Sequence, residues 1–245
     1  FREWKLVPER GVIEDYFGEK IAENNQTFQL HMIPEDVQNM EELFFKLTRI
    51  INFTENKKKN LVKRLKKRKR WEPIIISDNL SWAEFSKINL FINEMQGVKP
   101  VVALSRKYLS NGSSSHIIGY VSETNVKDLQ NSELLREINV PGLKTGKSGL
   151  EKYLNEKIIG KPGIQRFEVN AFGKRIKELK LVQGSVGQNF KTTIDQKIQD
   201  FTSEILKDLS ASVCVMDIFT GDIVSLVSNP TFNPNKFVHG ISQDD

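Results

Sequence analysis

At 245 residues the chain can enclose one large or two small hydrophobic cores, and its 38% hydrophobic and 27% charged content excludes both a disordered polymer and a protein made mostly of membrane spans. The formal net charge of +5 hints at an anionic partner, but ten basic residues and no acid fall within residues 57–70, and taking those ten from +5 leaves −5. The single cysteine, Cys214, excludes an intrachain disulfide.

No stretch approaches the roughly 18 apolar residues of a membrane-spanning helix. The chain opens on Phe1 with no signal peptide, as expected where a natural N-terminus has been removed, so the missing anchor says nothing about compartment. Residues 10–24 read as strand, turn, strand, with Asp15 to Gly18 as the turn and Ile21-Ala22 leading out. Residues 27–33 alternate as a further strand closed by Pro34. Pro34-Glu35-Asp36 then opens a helical pattern with apolar positions at Met40, Leu43, Phe44, Leu47, Ile50 and Ile51.

The basic run begins Lys57-Lys58-Lys59 and ends Arg68-Lys69-Arg70, and Leu61, Val62 and Leu65 form a thin apolar stripe along it. A solvated helix face is the favoured reading. Contact with anionic lipid or with nucleic acid stays open beside it, although no aromatic is interleaved with the lysines and no nucleic-acid motif accompanies them.

Residues 71–76 predict a strand. Residues 81–95 predict a helix with Trp82, Phe85, Ile88, Leu90, Phe91 and Ile92 as its apolar positions and Gly97 as its stop. Another strand follows at residues 98–104, then a turn at Asn111-Gly112. In the string S-S-S-H-I-I-G-Y-V, His116 has no partner at catalytic or metal-ligand spacing and reads as a hydrogen-bonded packing residue.

Glycines 146, 149, 160 and 163 bracket a loop and a helix from Ser148. Residues 167–170 and 175–181 predict a strand pair turning at residues 171–174. Residues 191–209 predict a helix with a Thr193/Gln196 capping box and a buried stripe of Ile194, Ile198, Phe201, Ile205 and Leu209. Residues 211–230 then read as a near-continuous apolar hairpin of the kind covered on both faces within a larger sheet.

Five strings in this order, R-G-V-I-E-D-Y-F-G at residue 10, S-S-S-H-I-I-G-Y-V at 113, G-K-S-G-L-E-K-Y at 146, T-I-D-Q at 193 and D-I-F-T-G-D-I-V-S-L-V-S-N-P-T-F-N-P-N-K-F at 217, resemble motifs of the class B penicillin-binding proteins. Tyr16-Phe17 and Asn233 depart from the family's usual Arg-Asn and Asp. The resemblance is greatest to elongation-specific members. It implies an α+β fold, with a non-catalytic dimerisation or pedestal domain over residues 1–190 and the start of a transpeptidase domain over residues 191–245, cut before the catalytic serine.

The motif residues it picks out are Arg10, Gly11, Asp15, Gly18, His116, Gly119, Tyr120, Gly149, Glu151, Asp217, Thr220, Gly221 and Pro230, all in structural roles, with no catalytic, cofactor or metal residue among them. Family enzymes acylate through a Ser-x-x-Lys serine, and no serine here has a lysine three residues on. Ser77-Asp78-Asn79 and Lys144-Thr145-Gly146 match the accessory strings S-x-N and K-[ST]-G, but they precede the expected transpeptidase segment and read as coincidences.

The implied setting is the periplasmic face of a bacterial inner membrane, in peptidoglycan synthesis and cell elongation. The implied partners are a polytopic glycosyltransferase and rod-complex scaffold proteins, with a homodimer left open and no nucleic acid expected. β-Lactams and stem peptides would bind only the intact parent. The alternatives are a stand-alone interaction module and an anionic-surface or nucleic-acid binder acting through residues 57–70.

Overall fold

The computed structural model describes residues 1–66, 69–171 and 175–240. The chain divides into two compact units, one formed by Phe1–Asn25 together with the chain from Ser105 onward, the other by Gln26–Leu104.

In the first unit β1 (Arg2–Lys5) leads to β2 (Ile13–Glu14) and to the start of β3 (Lys20–Met32), where Ile13 pairs antiparallel with Ala22. Gly18, at φ +88°, occupies the turn between β2 and β3 where a side chain would be strained.

The second unit takes the rest of β3, then α1 (Met40–Ile50), α2 (Glu55–Leu65), β4 (Ile74–Leu80), α3 (Trp82–Leu90) and most of β5 (Val98–Tyr108). A short 3-10 turn, Pro34–Asp36, precedes α1, which starts only after Asn39 accepts the Glu42 N–H. Leu43, Phe44 and Leu47 of α1, Leu61 of α2 and Ile88 of α3 bury against Leu30 and Met32 of β3 and Ile74 and Ile76 of β4. Thr54 caps α2, and Ser81 with Glu84 forms a capping box on α3.

The expected strand at 71–76 is displaced to Ile74–Leu80 and contains Ser77-Asp78-Asn79. The expected helix at 81–95 breaks at Phe91 into α3 and a 3-10 turn, Ile92–Glu94. Of its supposed core positions, Trp82, Leu90 and Phe91 are exposed, so the apolar spacing there overstates burial. Part of the basic run, residues 67–68, lies outside the described residues.

The chain then returns to the first unit through α4 (Ser115–Ile118), β6 (Val121–Glu123), α5 (Val126–Asn131), α6 (Glu133–Ile138), β7 (Lys144–Gly146), α7 (Gly149–Tyr153) and α8 (Asn155–Ile158). Next come β8 (Ile164–Val169), β9 (Arg175–Val182), β10 (Phe190–Lys191), α9 (Gln196–Ile205), β11 (Ser212–Met216), β12 (Ile223–Ser228) and α10 (Asn235–Val238). β1, β8 and β9 form an antiparallel sheet in which Trp4 packs on Phe167 at 4.4 Å between ring centroids. The turn expected at residues 171–174 falls largely outside the described residues. β10 lies parallel to β2, β6 pairs with β7, and β11 with β12. Ile13, Ile21, Ala22, Tyr108, Ile118, Val121, Ile158 and Val238 make the core of this unit.

The helix at the C-terminal side corrects two expectations. Its N-cap is Asp195, whose carboxylate accepts the Lys197 and Ile198 N–H groups, while Thr193 donates instead to the Ile223 carbonyl. Ile194 and Leu206 are buried, but Ile198, Phe201, Ile205 and Leu209 are exposed, Phe201 at 68%. The inward side chain is Gln199, fully buried: its amide N donates to the Ser113 and Leu226 carbonyls, and its amide O accepts the Leu226 N–H and the Ser225 hydroxyl. All four bonding positions of the amide are therefore filled, and this network orients α9 in opposition to its apolar stripe.

Candidate functional site

Two motif residues 141 positions apart in sequence, Arg10 and Glu151, meet in one buried cluster. This glutamate on α7 is fully buried and faces two guanidiniums, with Arg10 Nη2 at 2.6 Å and Arg106 Nε at 2.5 Å. Arg10 Nη1 also donates to Asn155 Oδ1 at 2.9 Å, Arg106 Nη1 to the Gly11 carbonyl at 2.7 Å, and the Tyr108 hydroxyl to Glu151 at 3.3 Å. Tyr108 in turn accepts the Val121 N–H, and Asn155 accepts the Gly146 N–H. One carboxylate thus ties together the segment before β2, the end of β5, β6, β7, α7 and α8.

Burial on its own raises the Glu151 carboxyl, but Arg10 and Arg106 outweigh it and hold the group below the usual carboxylate range. Burial, then the Glu151 charge, pushes the Tyr108 phenol well above its ordinary value. A carboxylate locked between two arginines is a poor proton shuttle at neutral pH, and a neutral phenol already engaged in two hydrogen bonds is a poor nucleophile. Chemically the cluster is a lock.

Two glycines close it from the side. At Gly119 (φ +74°) a Cβ would lie 2.0 Å from the Ser148 carbonyl O, and at Gly149 (φ +56°) 2.4 Å from the Ile117 carbonyl O, so the α4 end and the α7 start meet backbone to backbone. Gly11 makes a similar approach to Gln188.

The remaining motif residues form separate fastenings. Asp15, buried, accepts the Phe17 and Glu19 N–H groups and, through its second oxygen, the Gln196 N–H at 3.3 Å, joining the β2–β3 turn to α9. His116 Nε2 donates to the Pro230 carbonyl at 3.0 Å, and its ring meets Phe232 edge-on. Tyr120 stacks on Phe237 at 4.2 Å. Asp217, Thr220 and Gly221 stay together in the β11–β12 turn, where Asp217 accepts the Phe219 and Thr220 N–H groups and Gly221 sits at φ +79°. These backbone donors hold the exposed Asp217 carboxyl below its ordinary range.

Sequence reading missed Arg106, Tyr108, Asn155 and Gln199. Arg106 stands 45 residues from Glu151, and nothing local marks it in a strand that also carries Lys99 and Lys107. Lys144-Thr145-Gly146 is strand β7 and Ser77-Asp78-Asn79 is strand β4, and the two belong to different units. Among the described residues no group of three His, Cys, Asp or Glu side chains is placed to hold a metal, and no helix is long and apolar enough to cross a membrane.

The model of the penicillin-binding protein dimerisation domain matches residues 5–192. The chain belongs to this family. As a member of it, the chain is 32% identical over 246 residues to the peptidoglycan D,D-transpeptidase MrdA of Haemophilus influenzae, covering 98% of this chain and 37% of that protein. MrdA of Escherichia coli K12 is likewise 32% identical over 243 residues, at 98% and 38% coverage.

Among solved structures, penicillin-binding protein 2 of Helicobacter pylori in complex with MreC superposes with a TM-score of 0.78 at 27% identity, over 99% of this chain and 46% of that one. The same protein without MreC gives 0.68 at 26% identity. The chain therefore spans less than half the length of the relatives it matches. The mixed helix-and-strand architecture is that of the N-terminal dimerisation region of penicillin-binding protein 2.

Proposed function

We propose that this chain is the N-terminal, partner-binding and positioning part of a peptidoglycan D,D-transpeptidase of the penicillin-binding protein 2 type, serving cell-wall synthesis during elongation. The observation that carries the reading is the Arg10–Glu151–Arg106 cluster. It fastens residues from three of the five family strings and their neighbours into a rigid support, and it leaves none of them free to do acyl-transfer chemistry. The absence of any Ser-x-x-Lys from the sequence agrees with it.

Residues 1–190 are the pedestal and residues 191–245 begin the transpeptidase domain, a division supported by the family match ending at residue 192. The exposed stripe of Ile198, Phe201, Ile205 and Leu209 is the face on which the remainder of that domain would pack. The setting is the periplasmic face of the inner membrane, with a rod-complex scaffold protein and a polytopic glycosyltransferase as partners and a homodimer as a further assembly. The complex of the Helicobacter pylori relative with MreC supports the first of these.

Calorimetric titration of this chain with MreC from the same organism tests the reading. Saturable one-to-one binding is expected, and no heat of binding at concentrations up to about 100 μM would overturn it.

A further inference from the structure

Strand β5 is an edge strand, and its outer side is closed at one place and open at another. Its register against β3 is fixed at both ends: Leu109 N–H donates to the Ile21 carbonyl, and Ile33 N–H donates to the Gly97 carbonyl. Both bonds belong to the same antiparallel register, which sets Val102 opposite Phe28 and Leu104 opposite Gln26. Odd-numbered residues of β5 therefore turn their main-chain groups toward β3, and even-numbered ones turn theirs outward.

Tyr108 shows the outward side occupied: its N–H and C=O are both taken by the Asn235 side-chain amide, at 2.9 Å each. For Val102 and Leu104, among the described residues, no bond meets the outward N–H or C=O. Pro100, two residues earlier, has no N–H to offer, a common blunting device on an edge.

The side chains beside this open edge are apolar and uncovered. Val102 is 53% exposed and Leu104 45%, and next to them Phe28 packs under Phe85 and Trp82, at 4.6 and 5.3 Å between ring centroids, with Trp82 65% exposed. Farther along the same face Leu30 and Met32 are fully buried, so the sheet leaves its own core just where the edge opens.

β5 carries two exposed lysines, Lys99 and Lys107, and no acid, while its Arg106 is buried against Glu151. Pairing with a second copy of itself would set like charges together and repeat the gap at Pro100, which disfavours a self-paired edge.

We propose that the outer edge of β5 from Pro100 to Leu104, with Phe28 and Trp82 beside it, takes up an extended segment of a partner protein as an added strand, one that alternates apolar with acidic residues. The inference rests on the reading of this chain as a partner-binding module and names the surface and the chemistry it selects.

The probe is a capped ten-residue peptide alternating valine with glutamate, titrated into the full chain and followed by Trp fluorescence and by amide exchange. Binding should slow exchange of the Val102 and Leu104 amides at least tenfold. Val102→Pro, which removes an outward N–H that has no partner among the described residues, should weaken binding at least tenfold without moving the thermal midpoint. Should that variant fail to fold, Leu104→Glu gives the same loss by repelling the acidic peptide.

No binding to the unmodified chain, equal binding by both variants, or equal binding of a peptide with alternate N-methylated amides would overturn the proposal. So would a concentration-dependent dimer that Val102→Pro abolishes, which would make the edge a self-pairing one. Titration with the scaffold protein separates the two claims. A Val102→Pro chain that binds it undiminished refutes this strip alone, whereas peptide binding without scaffold binding supports the strip and refutes the broader reading.

Discussion

Replacing Glu151 by Gln keeps the shape of the side chain and removes its charge, leaving Arg10 and Arg106 facing each other in a buried site. The unmodified cluster already carries a net +1, and Arg10 Nε and Arg106 Nη2 have no hydrogen-bond partner among the described residues, so there is no spare acceptor to take over. Two charge-assisted contacts, at 2.6 and 2.5 Å, are lost or weakened. At about 1.5–3 kcal/mol for each such bond, and about 3–5 kcal/mol for breaking a buried ion pair, the expected loss is about 4 kcal/mol. For a chain of this size that corresponds to a midpoint roughly 10 °C lower in a thermal melt followed by circular dichroism.

The pH dependence has a definite sign. The folded carboxyl lies below its unfolded value, so its contribution is fully present above the unfolded value of about 4.3 and fades as pH falls through the folded one. The gap between the unmodified chain and Glu151→Gln should therefore be widest near neutrality and shrink on acidification below about pH 4. A variant within about 1 kcal/mol of the parent at pH 7, or a gap that widens in acid, would refute the argument that this carboxylate is the keystone of the first unit.

Three further outcomes follow from burial and bonding. Gln199→Ala strands the Leu226 and Ser113 backbone groups it serves and should cost about 2–4 kcal/mol, with fast amide exchange confined to α9, β11 and β12 by mass spectrometry. Phe201→Ser alters a side chain that is 68% exposed and should shift stability by no more than about 0.5 kcal/mol in urea titration; a loss above 2 kcal/mol would mean that the stripe is buried in solution. Lys59, Lys63 and Lys66 changed together to Gln should leave stability within about 1 kcal/mol, whereas loss of Lys58, paired with Glu41 and lying over Phe44, should register in packing.

How much of this was legible in the sequence depends on whether the signal was local. Caps and turns announce themselves within a few residues, so the Asp15 to Gly18 turn, the α1 stripe and the Ser148 helix start all stand close to where pattern places them. Strand and helix limits slipped by several residues where apolar spacing ran on past a cap, as at Leu90 and Phe91.

The Arg10–Glu151 pairing was foreshadowed only in that both residues sit in family strings. Spacing carries no trace of a contact spanning 141 positions, and Arg106 belongs to no string at all. The orientation of α9 was misread for a physical reason. Periodicity assumes that the apolar side of a helix faces the core, and here a glutamine with all four of its bonds satisfied takes that side instead. A buried polar residue opposite a clean apolar stripe is itself a sign that the stripe belongs to a further contact.

The most direct measurement of the central claim is a labelling experiment with a fluorescent penicillin on this chain and on a longer chain carrying the continuation found in its relatives. The account predicts no covalent band for the 245-residue chain, whose serines all lack a lysine three residues on, and a stoichiometric band for the longer one. A stoichiometric band on the 245-residue chain, or none on the longer one, would contradict it.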